Sequence, residues 1–223
     1  KTASINSKTI KKGEVFFAIK GKQKDGNLFI KNAFNNGALI AIVNRYDKSF
    51  NKANQIRVAD SLNCMTDLSK KIRKNFIGKI IAITGSCGKT SLKQMIGETI
   101  SKFSNTTYSP KSYNNKYGVP LSLFNLNLNN ESGIFEIGMD RKGEIDFLSK
   151  ILKPNIGIIT NISYAHAKNF KSIKQIALAK SELINNIETN GHIVLNADDK
   201  FFHLHKKIAI KKKLNVLSFG KNK

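Results

Sequence analysis

The sequence predicts an α/β protein: a small N-terminal α/β unit over residues 1–77, then a doubly wound, mostly parallel sheet over residues 78–223 that opens on a phosphate-binding loop and reads as incomplete at its C-terminal end. Three observations predict it. Short apolar runs alternate along the chain with segments of helical period. The run Ile80-Ile81-Ala82-Ile83 is continuously apolar, as in a parallel strand buried on both faces. Directly after it, Gly85-Ser86-Cys87-Gly88-Lys89-Thr90 leads into a helical stretch.

In the first unit, Val15–Ile19 reads as a strand bounded by Gly13 and Gly21. Phe29–Asn36 reads as a helix stopped by Gly37, and Ala38–Val43 as a second strand. A further helix is expected over Thr66–Lys74, with Asp60 and Ser61 in a turn before it, and the boundary between the units near 75–78. In the second unit, the helix after the loop carries Leu92, Met95, Ile96, Ile100 and Phe103 on one face. Strands follow at Ile134–Ile137, Ile156–Ile159, His192–Leu195 and Val216–Phe219. Between them, Ser172–Asn186 reads as a helix. The Ser/Pro/Lys-containing stretch from Tyr108 to Tyr113 suits a loop that covers substrate.

Composition narrows the function classes. The 223 residues are 40% hydrophobic, enough for a packed core. No stretch approaches the roughly 18 apolar residues of a membrane span, and Lys1–Ile10 lacks the apolar run of a signal peptide. Cys64 and Cys87 show no metal-ligand spacing and read as free thiols of a reducing compartment, so a cytoplasmic protein is expected. The formal charge of +23 invites a nucleic-acid reading. Against it, arginine occurs only at positions 45, 57, 73 and 141, and the lysines are scattered rather than clustered beside aromatic residues. With asparagine also abundant, the lysines read as a coding bias and a solvated surface, including the run Lys211-Lys212-Lys213. His203 and His205, two residues apart, read as surface residues rather than a metal pair.

The loop carries the chemistry. In Thr84-Gly85-Ser86-Cys87-Gly88-Lys89-Thr90, the two glycines allow a tight turn that aims backbone N–H groups at phosphate oxygens, and the next helix adds its positive dipole end. Lys89 would neutralise the β- and γ-phosphates of a nucleotide, and the Thr90 hydroxyl would ligate Mg2+. The usual first glycine position falls on Ile83, so the loop is a shortened variant, and an ordinary βα turn is the alternative. Lys180 stands out independently. On a helix it falls near the centre of an apolar face formed by Ile173, Ile176, Ala177, Leu183 and Ile184, where a lysine must snorkel, pair or lose its charge.

At this point the motifs are similar to those of the Mur ligases, which build the peptide stem of peptidoglycan. Thr84–Thr90 resembles their ATP loop. Tyr113-Asn114-Asn115-Lys116-Tyr117-Gly118-Val119-Pro120-Leu121 is similar to a segment of the member that adds the D-alanyl-D-alanine dipeptide, as are Glu136-Ile137-Gly138-Met139, Gly143-Glu144-Ile145, Thr160-Asn161-Ile162 and Ala165-His166. Ala179-Lys180-Ser181-Glu182 and Asn196-Ala197-Asp198-Asp199 follow in the family's order. Asn6-Ser7-Lys8, Gly13–Gly21 and Asp25-Gly26-Asn27 resemble the uridine-nucleotide-binding domain of these ligases, with Lys8 in place of an arginine and its bidentate fork. Asp140-Arg141-Lys142 stands where the family often has Asn-His.

The resemblance implies ATP-dependent amide formation with Mg2+. The acceptor would be a uridine-nucleotide-linked muramoyl tripeptide, the donor D-alanyl-D-alanine, and a third, C-terminal domain would complete the site. Ser7, Lys8, Asp25 and Gly26 would contact the acceptor nucleotide. Glu136 and His166 would join Thr90 in holding Mg2+, and Lys180 would be carbamylated. Asn114 and Asn115 would border the phosphates, and Asn196 and Asp198 the adenine or ribose. A ligase adding the third stem residue and a folate polyglutamylating enzyme are the sister readings, disfavoured by the Asn114-Asn115 segment. A nucleic-acid-associated ATPase and a non-catalytic nucleotide-binding module are the readings from other classes.

Overall fold

The computed structural model describes residues 2–21, 23–164 and 169–221. His166 lies outside them. Among the described residues the chain forms two sheets.

The first sheet contains β1 (Ala3–Ser4), β2 (Val15–Phe17), β3 (Ile40–Val43) and β4 (Gln55–Arg57), in that order and all parallel. Alternation along β2 and β3 sorts their side chains to two faces. Phe16, Ala41 and Val43 pack with Ile30 and Ala33 of α1 (Ile30–Asn35). Phe17 and Ile42 point the other way, onto Met65 and Leu121. Met65 belongs to α2 (Ser61–Asn75), which starts five residues earlier than the sequence predicts. Asp60 is not a residue of a preceding turn but the N-cap: its carboxylate accepts from Asn63 N–H at 2.7 Å.

The second sheet has the order β10-β9-β8-β5-β7-β6, again all parallel. Its strands are β5 (Lys79–Thr84), β6 (Thr106–Tyr108), β7 (Ser132–Glu136), β8 (Ile156–Ile159), β9 (His192–Asn196) and β10 (Asn215–Phe219). The interleaved helices are α3 (Lys89–Ile100), α4 (Gly118–Phe124), α5 (Glu144–Leu152), α6 (Ile173–Lys180), α7 (Glu182–Asn185) and α8 (Phe202–Lys211). The continuous apolar run of β5 is used on both faces. Ile80 and Ala82 join the large core under α4, α5 and α7, while Ile81 and Ile83 pack against Leu92, Ile96 and Ile100 of α3.

α2 lies between the sheets. Its Met65 face covers the first sheet, and Arg73 reaches α5, where Nε donates to Leu152 O at 2.5 Å and Nη2 to Lys153 O at 2.7 Å. Those carbonyls end a helix and need donors from outside it. Leu121 and Phe124 of α4 also pack into the cluster around Phe17, so the two sheets share one apolar seam.

Three further sequence expectations change. Met95 of α3 and Phe103, in the turn just after it, are 65% and 85% exposed, whereas Lys93 and Gly97 are buried; the apolar side chains packed on the sheet are Leu92, Ile96 and Ile100. The helix expected over 172–186 is divided at Ser181, whose hydroxyl bonds back to Leu178 O at 2.7 Å. His205 is not a surface residue. α8 turns it inward, and its Nε2 lies 3.0 Å from Ala177 O. Burial pulls its pKa below the usual imidazole range. His203 and Lys211–Lys213 are exposed, as expected.

Candidate functional site

β5 is flanked by β8 on one side and β7 on the other, with β6 and β7 on one side of it and β8, β9 and β10 on the other. The chain therefore changes direction across the sheet around β5, and the carboxyl ends of β5, β7 and β8 form the crevice where such sheets bind ligands. The phosphate loop, Glu136 and Thr160-Asn161 sit at those three ends.

The loop is built against the end of β8. Ser86 N–H donates to Asn161 O at 2.9 Å, and Cys87 N–H to Asn161 Oδ1 at 3.1 Å. The Thr160 hydroxyl donates to Cys87 O at 2.7 Å, and Ser86 Oγ exchanges bonds with Ser163. Gly85 has φ +150°, and a Cβ there would lie 1.9 Å from Thr160 Oγ1, so no larger residue fits. Gly88, at φ +80°, is the N-cap of α3. The Thr84 hydroxyl at the base of the loop is buried without a partner among the described residues.

Two lysines converge on one carbonyl. Lys89 Nζ donates to Gly85 O at 2.9 Å and Ser86 O at 3.3 Å, while Lys180 Nζ donates to the same Gly85 O at 2.9 Å. Lys180 does not snorkel, being only 1% exposed. Burial, reinforced by the Lys89 charge beside it, lowers its pKa from 10.5 to about 7. Between about pH 7 and 10.5 the unfolded chain therefore keeps a proton that the folded chain has released. Folded-state stability from this group rises with pH through that window and is lost as pH falls to about 7. Urea unfolding of the wild type and Lys180→Met in carbonate-free buffer is expected to show it. The stability difference, wild type minus variant, rises with pH by up to about 1.4 kcal/mol per unit; a difference independent of pH contradicts it.

Facing the loop, Glu136 is 1% exposed at the end of β7. Its Oε2 accepts from the Thr90 hydroxyl at 2.7 Å, and its Oε1 from Asn114 Nδ2 at 2.7 Å. A hydroxyl and a carboxylate oxygen so paired at the start of a helix are hard donors. They fit Mg2+, which takes one or two protein oxygens and completes its shell from phosphate and water. Among the described residues no group of three His, Cys, Asp or Glu side chains forms a metal cage.

The remaining candidates divide. Asn115 Oδ1 accepts from Tyr117 and Gly118 N–H at 3.0 Å and caps the entry to α4. Asn196 Nδ2 reaches Thr160 O at 3.3 Å, beside the loop. Asp198 lies two residues past the end of β9, where its Oδ2 accepts from Lys221 N–H, beyond β10, at 2.9 Å. In the first unit, Ser7, Lys8 and Gly26 line a cleft of about 610 Å3 whose opposite wall is formed by Ser112, Tyr113, Asn115 and Tyr117. Asp25 caps the 3-10 turn Gly26–Phe29 and pairs with Arg45 at 3.2 Å. Asn27 and Arg45 hold its carboxyl below the usual range against the opposing pull of burial.

Sequence reasoning missed several residues. Lys93 is fully buried within α3, Thr160 and Asn161 buttress the loop, and Asp199 accepts from Ile162 N–H at 2.7 Å to fix the end of β8. The spacing of Lys89 and Lys93, four apart on one helix face, was the available signal.

This geometry has known counterparts. A model of the Mur ligase middle domain matches residues 83–223, and a model of the Mur ligase family catalytic domain matches residues 2–71. The chain belongs to the Mur ligase family. It is 37% identical over 219 residues to the UDP-N-acetylmuramoyl-tripeptide–D-alanyl-D-alanine ligase of Rickettsia prowazekii, covering 97% of this chain and 48% of that protein. To the ligase of the same name from Buchnera aphidicola (strain Bp) it is 34% identical over 208 residues, covering 93% and 45%. Its structure is similar to a crystal structure of MurF from Acinetobacter baumannii (TM-score 0.85, 32% identity, 97% of this chain and 47% of that one). It is also similar to MurF ligase from Thermotoga maritima in complex with ADP (TM-score 0.83, 31% identity, 100% and 51%). The chain spans about half the length of the curated Mur ligases it matches.

Proposed function

We propose that the chain is the acceptor- and ATP-handling part of a ligase that joins D-alanyl-D-alanine to a UDP-N-acetylmuramoyl tripeptide in the cytoplasm. Residues 1–77 would bind the uridine nucleotide and residues 78–223 would bind ATP. The observation that carries this reading is one segment with two faces. Residues 109–117 meet the phosphate side through Ser112, 3.4 Å from Thr90 Oγ1, and through Asn114 on Glu136. The same segment walls the cleft that holds Ser7 and Lys8. An acceptor in that cleft would have its reacting end directed at the phosphate loop.

The overall reaction is attack of the acceptor carboxylate on the γ-phosphorus with loss of ADP, then attack of the amine on the acyl phosphate with loss of phosphate. The chain contributes position and charge to it. Backbone N–H groups of the Gly85–Thr90 loop and Lys89 would bind the polyphosphate. Thr90 and Glu136, with His166, would hold Mg2+, which when bound supplies charge neutralisation at the transferring phosphoryl group. Asn114 keeps the Glu136 carboxylate oriented toward Thr90. Asn196 and Asp198 would face the adenosine.

Lys180, whose lowered pKa of about 7 leaves a large share of its amine neutral near pH 7, is suited to carbamylation: the free amine pair adds to carbon dioxide, one proton is released, and an anionic carbamate results. The test is a 13C carbamate resonance after equilibration with labelled bicarbonate. It is expected in the wild type and absent in Lys180→Arg; no resonance in the wild type contradicts the modification.

The function is tested by ADP release from the full-length protein with Mg2+, ATP and the muramoyl tripeptide nucleotide, adding amines singly. Stimulation by D-alanyl-D-alanine is expected. Stimulation only by a single amino acid with a shorter acceptor would move the assignment to a sister ligase.

A further inference from the structure

A lysine inside a protein needs a reason, and Lys93 is 0% exposed. It sits on α3 one turn beyond Thr90, and its ammonium donates to the backbone carbonyl of Lys111. That residue has φ +46°, a left-handed conformation that a side chain rarely adopts and that persists only where surroundings enforce it. Burial lowers the Lys93 pKa, and the nearby Glu136 charge opposes that shift without reversing it. Gly97, one further turn along α3, lets Tyr108 close over the helix: a Cβ there would lie 2.6 Å from the Tyr108 ring. The 109–117 segment thus leaves β6 already pressed onto α3.

We propose that Lys93 is a positioning residue for ligation, tethering the 109–117 segment through the Lys111 carbonyl so that Ser112 and Asn114 meet the phosphate site while Tyr113, Asn115 and Tyr117 wall the acceptor cleft. The inference rests on the function proposed above. The helix that begins at the phosphate loop thereby sets the wall of the acceptor cleft. Without the tether, Asn114 still bonds Glu136 and Gly138 N–H still bonds Asn114 O at 2.8 Å, so the segment's far end stays attached while the stretch from Pro110 to Tyr113 loosens. The defect belongs to acceptor binding more than to ATP binding.

The test compares wild-type full-length protein with Lys93→Met and Lys93→Arg. Methionine matches the stem and removes both the buried charge and the donor to the Lys111 carbonyl. In Lys93→Met, hydrogen exchange across 109–117 is expected to accelerate about 10-fold or more, with β7 unchanged. The KM for the muramoyl tripeptide nucleotide rises about 10-fold or more while that for ATP moves less than about threefold, and Lys93→Arg restores part of the loss. Wild-type exchange rates in Lys93→Met, or KM values that rise equally for both substrates, would overturn the proposal. If Lys93→Met does not fold, the wild type decides: protection of 109–117 supports the tether, and free-peptide exchange rates sink it. A wild type without ligase activity removes the proposed function, and the exchange comparison still judges the tether.

Discussion

Replacing Lys89 by alanine in the full-length protein is expected to lower kcat for ligation by about 10³-fold or more, with the unfolding midpoint nearly unchanged. Lys89 is partly exposed, and its ammonium is held by the carbonyls of its own loop, not by core side chains. The charge is therefore dispensable to the fold and available to an anion. Its loss also removes the repulsion that helps keep Lys180 neutral, so the Lys180 pKa rises in this variant. Steady-state kinetics with a parallel thermal melt checks the prediction. A variant with near wild-type kcat would remove Lys89 from the chemistry.

Glu136→Gln is the second large effect. The carboxylate accepts from both Thr90 and Asn114 at 2.7 Å, and an amide can accept on only one of its two arms. The other arm presents N–H to Thr90, whose hydroxyl can turn to accept it, so the pairing can survive while the site loses the carboxylate charge at the end of β7. A fall in kcat of about 10²-fold or more is expected, together with a Mg2+ requirement raised about 10-fold or more. Titrating Mg2+ at saturating ATP separates the two quantities. An unchanged Mg2+ requirement would exclude Glu136 from holding the ion, whatever happens to kcat.

The phosphate loop was legible in the sequence because its chemistry is local: a buried strand, two glycines, Lys89 and Thr90 within one turn of a helix. The long strands were legible for a related reason, each being built around a short, mostly apolar run. The short strands β1, β4 and β6 were not. Each has two or three residues and pairs with a neighbour chosen by the tertiary fold rather than by pattern. α3 shows the limit more sharply. Apolar Met95 faces solvent, as does Phe103 just past the helix, and a lysine is buried, because the Lys111 carbonyl meets it from a segment 18 residues away. His205 is similar: its place is fixed by the Ala177 carbonyl of α6, not by its spacing from His203. Asn114 and Asn115, adjacent in sequence, serve the phosphate side and the entry to α4 respectively, a division that only the backbone path reveals.

The central claim is that the chain's phosphate loop and acceptor cleft belong to one reaction, in which a carboxylate is phosphorylated before the amide forms. It is tested most directly with an acceptor nucleotide labelled with 18O in its terminal carboxylate, incubated with the full-length protein, Mg2+, ATP and D-alanyl-D-alanine. The account predicts that one labelled oxygen appears in the released phosphate and the other in the new amide carbonyl. Unlabelled phosphate alongside ADP release would contradict it, since the γ-phosphoryl group would then have gone to water.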